Sequence, residues 1–304
     1  MCGYGKRLRH FLIVLFIVTV MESHASWAAN IIPTLERIRQ TKTIKIGYGD
    51  SLPFSYIGPT GEVNGYSIDL CKRIVDALRI RLGLEKINIE YVFRTPSNRV
   101  RLLTNGAIDI ECDTTTNTTE RRRNVAFSIS HFMVDTRYVS LRKNHLNTLA
   151  DLRGRSVSIV LGTNNVAQIN QVNREKKLNL SIVSTDTLQK AFDMVAQEKV
   201  FAYAMDDVLL HAMVARAPNP QAYMISSEPV YGETEYGLMM RHGDEGFIDA
   251  VNDALRQIYA DNEIEAIYAR WFKQPLPGSD INLNFPMRDN LKQLFRAAGT
   301  PGAQ

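Results

Sequence analysis

Short apolar runs and helical stripes alternate along most of this 304-residue chain. TIKIGY at 43–48 reads as a strand. SIDLCKRIVDALRIRL at 67–82 reads as an amphipathic helix, with Cys71, Ile74, Val75, Leu78 and Leu82 recurring on one face. INIEYVF at 87–93 alternates as a second strand, SNRVRLLTNG at 97–106 is a short helix closed by Gly106, and AIDIEC at 107–112 is a third strand. Strand, helix, strand, helix, strand predicts parallel pairing with right-handed crossovers.

The same grammar restarts after an extended stretch, RYVSLRKN at 137–144. SVSIVLG at 156–162, LSIV at 180–183 and VFAYAMDD running to Asp206 read as strands, separated by the helical patterns NNVAQINQVNREKKL and TLQKAFDMVAQEK. A return strand, YGLMMRH at 236–242, leads into helices over FIDAVNDALRQIYA and NEIEAIYARWF, then a proline-punctuated tail with one more short helix. The pattern predicts an α/β protein of two lobes, each an open and mainly parallel sheet, joined by two crossover strands. The first lobe is discontinuous, 30–136 plus 237–304, and the second spans 137–236. Ligands of open parallel sheets sit beyond the carboxyl ends of strands, where loops feed helix N-termini, so the predicted site is the cleft between the lobes.

The first 29 residues stand outside this grammar. Lys6, Arg7 and Arg9 precede the apolar run FLIVLFIVTVM at 11–21, and small residues follow around Ala28 and Ala29. That is the order of a secretory signal peptide, and the run is short for a membrane span. Export to the periplasm is the expectation. The leader carries three of the 36 basic and one of the 32 acidic residues, leaving 33 against 31, a formal +2. With no long basic run, composition offers no case for nucleic acid.

Cys71 and Cys112 flank the same predicted sheet, and an oxidising compartment favours joining them as a disulfide; two buried free thiols are the alternative. HExxH, CxxC and GxSxG are absent, so no metal, cofactor or hydrolase chemistry is expected.

The candidate chemistry lies at strand ends. ECDTTTNTTERRR at 111–123 follows the AIDI run. Threonine hydroxyls and free backbone N–H groups suit a carboxylate, and an arginine offers the planar fork that binds one bidentately. Thr114 and Thr116 are candidates for the cleft. Thr118, Thr119 and Glu120 read as a helix cap, and of three arginines spaced about 100° apart on a helix only Arg121 can face inward. Ordinary capping accounts equally for the whole run. In TPSNR at 95–99, Ser97 and Arg99 start a helix, and a cation in a first turn opposes the helix dipole. LGTNN at 161–165 places Thr163 and Asn164 at another helix start. Asp206 and Asp207 end a strand, either to receive an ammonium group or to cap the next helix. Phe54, in GYGDSLPFSY at 47–56, is either an apolar wall for a ligand stem or a core residue.

GYGDSLPFSY, GYSIDL, SNRVRLLTNGAIDIECDTTTNTTER, DLRGRSVSIVLGT, AMDDVLL and ARWFKQPLP together resemble the polar amino-acid solute-binding proteins of bacterial ABC importers, most closely the glutamate/aspartate-binding branch. The resemblance covers nearly all of the chain after the leader, in the family's order. It implies the two-lobe type II periplasmic-binding fold, a free amino acid as ligand, a monomer, and an inner-membrane permease as partner. It assigns Arg121 to the ligand α-carboxylate with Thr116 and Thr163, and Thr114 and Asp206 to the α-ammonium. Arg99 falls where acidic-ligand members hold the side-chain carboxylate, and Ser97 is one position from the family's serine. Two departures bear on specificity: the loop YGDSLPF has no arginine where that branch has one, and STDTLQ has no histidine where that branch has one. An exported enzyme on the same scaffold, such as a cyclohexadienyl dehydratase, is the alternative. It would need an acid in the cleft.

Overall fold

A computed structural model describes residues 32–261 and 263–300; the leader expected over residues 1–29 lies outside the described residues. The chain enters through α1 (Thr34–Thr41) and β1 (Thr43–Tyr48), then a small hairpin of β2 (Tyr56–Ile57) and β3 (Val63–Asn64). There follow α2 (Tyr66–Arg81), β4 (Asn88–Phe93), α3 (Arg99–Thr104), β5 (Ile110–Glu111), β6 (Val125–Phe127) and the long β7 (Phe132–Leu141). The second series is β8 (Ser156–Val160), α4 (Asn165–Glu175), β9 (Ser181–Thr185), α5 (Leu188–Ala196), β10 (Ala202–Asp206), α6 (Asp207–Arg216) and β11 (Tyr223–Ile225). It closes with β12 (Tyr231–Tyr236), β13 (Met239–Arg241), α7 (Glu245–Ala260), α8 (Glu263–Phe272) and α9 (Asp289–Gly299).

The strands form two main sheets, ordered β4-β1-β5-β13-β6 and β11-β7-β10-β8-β9, with β12 paired to β7. Both are mixed, which corrects the expectation of mainly parallel sheets. β4, β1 and β5 pair in parallel, as do β9, β8 and β10, but the returning strands β13, β7, β11 and β12 pair antiparallel. The parallel strands are joined by helices, whereas β7, β12 and β13 arrive through loops, which permit antiparallel pairing, and β11 follows α6 to the far edge of β7.

Each sheet is covered by helices, and β10 is buried along its whole length, as a strand covered on both faces should be. The return strand expected over 236–242 is two strands. Tyr231–Tyr236 belongs to the second sheet, and after the break at Gly237 Met239–Arg241 joins the first. The helix expected to follow Thr119 is only a 3-10 turn, Arg121–Arg123, because the chain re-enters the first sheet at Val125.

Phe54, Tyr66, Phe132, Tyr236, Tyr268 and Phe272 form a buried aromatic cluster, with the Phe132 ring 4.8 Å from Phe54 and 5.1 Å from Phe272. Phe132 begins β7 and Tyr236 ends β12, and the two are register partners. The same cluster that packs α2 and α8 therefore anchors both strands that cross to the second sheet. Cys71 of α2 and Cys112 behind β5 are joined by a disulfide.

Candidate functional site

The parallel strands of both sheets end at one cavity. Its first wall is Ser51, Arg94, Pro96, Arg99, Thr114 and Thr116, which follow β1, β4 and β5. The second is Thr163, Asn164, Asn165, Leu188, Met205 and Asp206, at the ends of β8, β9 and β10. A wider groove includes Leu52, Phe192, Leu209, Met213 and Tyr223, but none of the arginines, threonines or Asp206 of this cavity. Converging polar groups, rather than size, mark the strand-end cavity as the site.

The first wall is a buried ion network. Arg94 is 2% exposed, with Nε 2.8 Å from Glu111 Oε1 and Nη2 against Asp113 Oδ2. Neither contact is aligned as a hydrogen bond, so charge attraction holds the arginine in place. The Thr115 hydroxyl donates to Glu111 Oε2 at 2.6 Å and accepts from Arg99 Nη1 at 2.8 Å, extending the network to Arg99. Burial, and then the neighbouring Arg121, push the Arg99 guanidinium down to about 9, with Glu111 opposing them. Burial pushes the Asp113 carboxyl up to about 6 against the pull of Arg94.

The threonine run is extended rather than helical. Thr116 bridges Tyr236, Asn117 N–H donates to Glu235, and Gly237 N–H donates to Thr115. Thr114 and Thr116 therefore line the cavity, while Thr115 points into the ion network. Only the local part of the capping expectation appears: Thr118 Oγ1 accepts from Arg121 N–H at 3.2 Å.

The second wall holds one carboxylate among neutral donors. Asp206 accepts from Asn165 Nδ2 at 2.8 Å and from the Tyr236 hydroxyl. Burial raises its pKa, opposed by Tyr236, Asn165 and Thr136 and more weakly by Arg121. It starts α6 without capping it, and Asp207 turns away to pair with Arg288. The walls meet at Gly162, whose carbonyl accepts from Arg99 Nη2 at 2.8 Å and Arg121 Nη2 at 3.2 Å. A Cβ there would lie 2.6 Å from the Pro96 carbonyl, and φ is +81°, so this approach requires glycine.

The structure brings together Arg99, Thr114, Thr116, Thr163, Asn164 and Asp206. Arg121 lies just behind, its Nη1 donating to Thr116 O at 2.8 Å. Ser97 is displaced from the cavity, its hydroxyl donating to Leu161 O at 3.3 Å across the cleft, and Pro96 takes the wall position. Phe54 belongs to the aromatic core, fully buried, rather than to the cavity wall. Sequence reasoning missed Ser51, Arg94, Asn165, Leu188, Met205 and Tyr236, and gave Glu111 and Asp113 no role. Counting parallel register outward from the strand ends would have placed Arg94 and Asp113 on either side of Gly49.

Two α/β sheets that present their strand ends to a shared polar cavity define a ligand-binding protein of the type II periplasmic-binding fold. The chain belongs to the bacterial extracellular solute-binding proteins, family 3, whose family profile matches residues 44–274. It is 35% identical over 300 residues to the L-glutamate/L-aspartate-binding protein of Pseudomonas aeruginosa, covering 98% of this chain and 99% of that one. It is 33% identical over 264 residues to the glutamate/aspartate import solute-binding protein of Escherichia coli, covering 86% and 87%. Among solved structures, an ancestral arginine-binding protein bound to arginine matches with a TM-score of 0.68 and 27% identity, covering 76% of this chain and 98% of that one.

Proposed function

We propose that this protein is the periplasmic solute-binding component of an ABC importer and captures an acidic amino acid, glutamate or aspartate. The observation that carries the reading is the division of charge across the cavity, with Arg94 and Arg99 on one wall and Asp206 on the other. An amino acid offers the matching carboxylate and ammonium groups, and an acidic side chain adds a second carboxylate. The names of the Pseudomonas and Escherichia relatives support this ligand class.

In this reading Arg121, Thr116 and Thr163 hold the α-carboxylate, while Thr114 and Asp206 hold the α-ammonium. Arg99 faces the side-chain carboxylate, and Asn164 contributes from the N-terminus of α4. The lobes are 30–136 plus 237–304 and 137–236, flexing at the two crossovers. The first binds the ligand, and closure brings in Gly162, Thr163 and Asp206. The closed monomer is then delivered to a membrane permease. This reading includes no catalytic step: the relatives are named as binding proteins, Glu111 and Asp113 are paired with Arg94, and Asp206 accepts from Asn165, Tyr236 and, at 3.4 Å, Thr136.

A thermal-shift screen against the common amino acids tests this, because a ligand that binds only the folded state raises the melting temperature by mass action. Glutamate and aspartate should give the largest shifts. Shifts confined to neutral amino acids, or none, would refute the assignment.

A further inference from the structure

Arg94 adds its charge to the wall in the reading above, but the residue-by-residue roles given there assign it no group of the ligand. It extends β4 by one residue, its N–H donating to Tyr48 O at 2.8 Å, while Cys112 N–H continues β5 by donating to Gly47 O at 2.9 Å. Tyr48 pairs with Phe93 and Gly47 with Glu111, so one step beyond the first pair and two beyond the second Gly49 lies between Arg94 and Asp113. On this face β1 carries glycine at both 47 and 49, and the Arg94 side chain crosses its end to reach the carboxylates of β5. A Cβ on Gly49 would lie 2.2 Å from Asp113 Oδ2 and 2.9 Å from Arg94 Cζ. The space that a first-loop side chain would occupy is filled by a guanidinium from the neighbouring strand.

Its nitrogens divide by role. Nε and Nη2 face Glu111 and Asp113, whereas Nη1 has no protein partner among the described residues and belongs to a side chain on the cavity wall. We infer that Arg94 is a specificity-determining residue: with Arg99 it binds the side-chain carboxylate of the ligand, Glu111 and Asp113 fix its orientation, and Gly49 leaves room for it. This rests on the acidic-amino-acid reading and adds the second cation that the first loop does not supply. A guanidinium already held by two carboxylates gives up little side-chain freedom on binding, so its remaining donor is preorganised.

Calorimetric titration of the full chain with L-glutamate and L-glutamine tests the inference. The two differ only in the distal group, so Arg94→Gln should weaken glutamate at least about tenfold more than glutamine, the worth of one charge-assisted hydrogen bond. Because Arg94→Gln leaves two carboxylates buried without their cation, Arg94→Gln/Asp113→Asn is measured beside it, with thermal unfolding to establish that each is folded. The double variant should show the same loss of preference, and Gly49→Ala a smaller one in the same direction. Equal changes for both ligands, or none, in folded variants would overturn the role and leave Arg94 a structural ion-pair partner. Absence of any amino-acid binding by the unsubstituted protein would refute the underlying reading instead.

Discussion

The two walls of the cavity solve the burial of charge in opposite ways. The first packs Arg94, Arg99, Glu111 and Asp113 into one network, in which each charge is balanced by another and the disulfide at Cys112 ties the segment to α2. The second buries a single carboxylate, Asp206, and supports it with the neutral donors Tyr236 and Asn165. A balanced ion network is costly to disturb but holds its members in place; a lone carboxylate with neutral donors keeps its negative charge unspent for a cation. The first wall is therefore built for position and the second for charge.

The largest effect should come from unfastening the first wall. The disulfide spans 41 residues, so Cys71→Ala/Cys112→Ala should lose about 4 kcal/mol of stability on loop-closure entropy. Chemical denaturation measures it, and a loss below about 1 kcal/mol would show that the first wall holds its geometry without the staple. Next, Arg121→Ala should cost about 3 kcal/mol of ligand affinity, more than about a hundredfold, by leaving a buried ligand carboxylate without its cation. Near-normal titration would remove Arg121 from the site. On the second wall, Tyr236→Phe deletes one of the three donors to Asp206 and should cost about 1 kcal/mol of stability. An unchanged unfolding midpoint would mean that Asn165 and Thr136 suffice.

These expectations rest on contacts of unequal legibility. β1, α2, β8 and β10 could be read from the sequence because their apolar spacing is local and uninterrupted. The switch of the returning chain from the second sheet to the first at Gly237 could not, since apolar residues flank it on both sides and spacing does not name a partner strand. Thr114, Thr116 and Asp206 were legible as polar residues at strand ends. Arg94 was not, because its role depends on the register of three strands remote in sequence and on a glycine between them. Thr118 and Thr119 misled for the related reason that a capping pattern describes a turn without saying how far a helix continues.

A further expected effect is a pH slope. His131 is fully buried beside Tyr66 and Tyr236, and burial pushes its pKa from 6.5 down to about 3. Between those values the unfolded chain binds a proton that the folded chain does not. Its contribution is therefore intact above about 6.5 and falls as pH drops, by up to about 1.4 kcal/mol per pH unit. Asp113 runs the other way: its folded value of about 6 lies above the ordinary 3.8, so its contribution favours folding at low pH and is lost as pH rises through that interval. The difference between the protein and His131→Phe isolates the histidine; identical pH profiles would contradict its assignment as a neutral buried ring.

The division of labour between the walls is tested most directly by calorimetric titration of L-glutamate into the protein and into Asp206→Asn, which keeps the shape and removes only the charge. The account predicts saturable one-site binding to the protein and a loss of about 2 kcal/mol, roughly thirtyfold, in the variant, as expected for a charge-assisted hydrogen bond to the ligand ammonium. Equal affinity for both, with the variant folded, would contradict it.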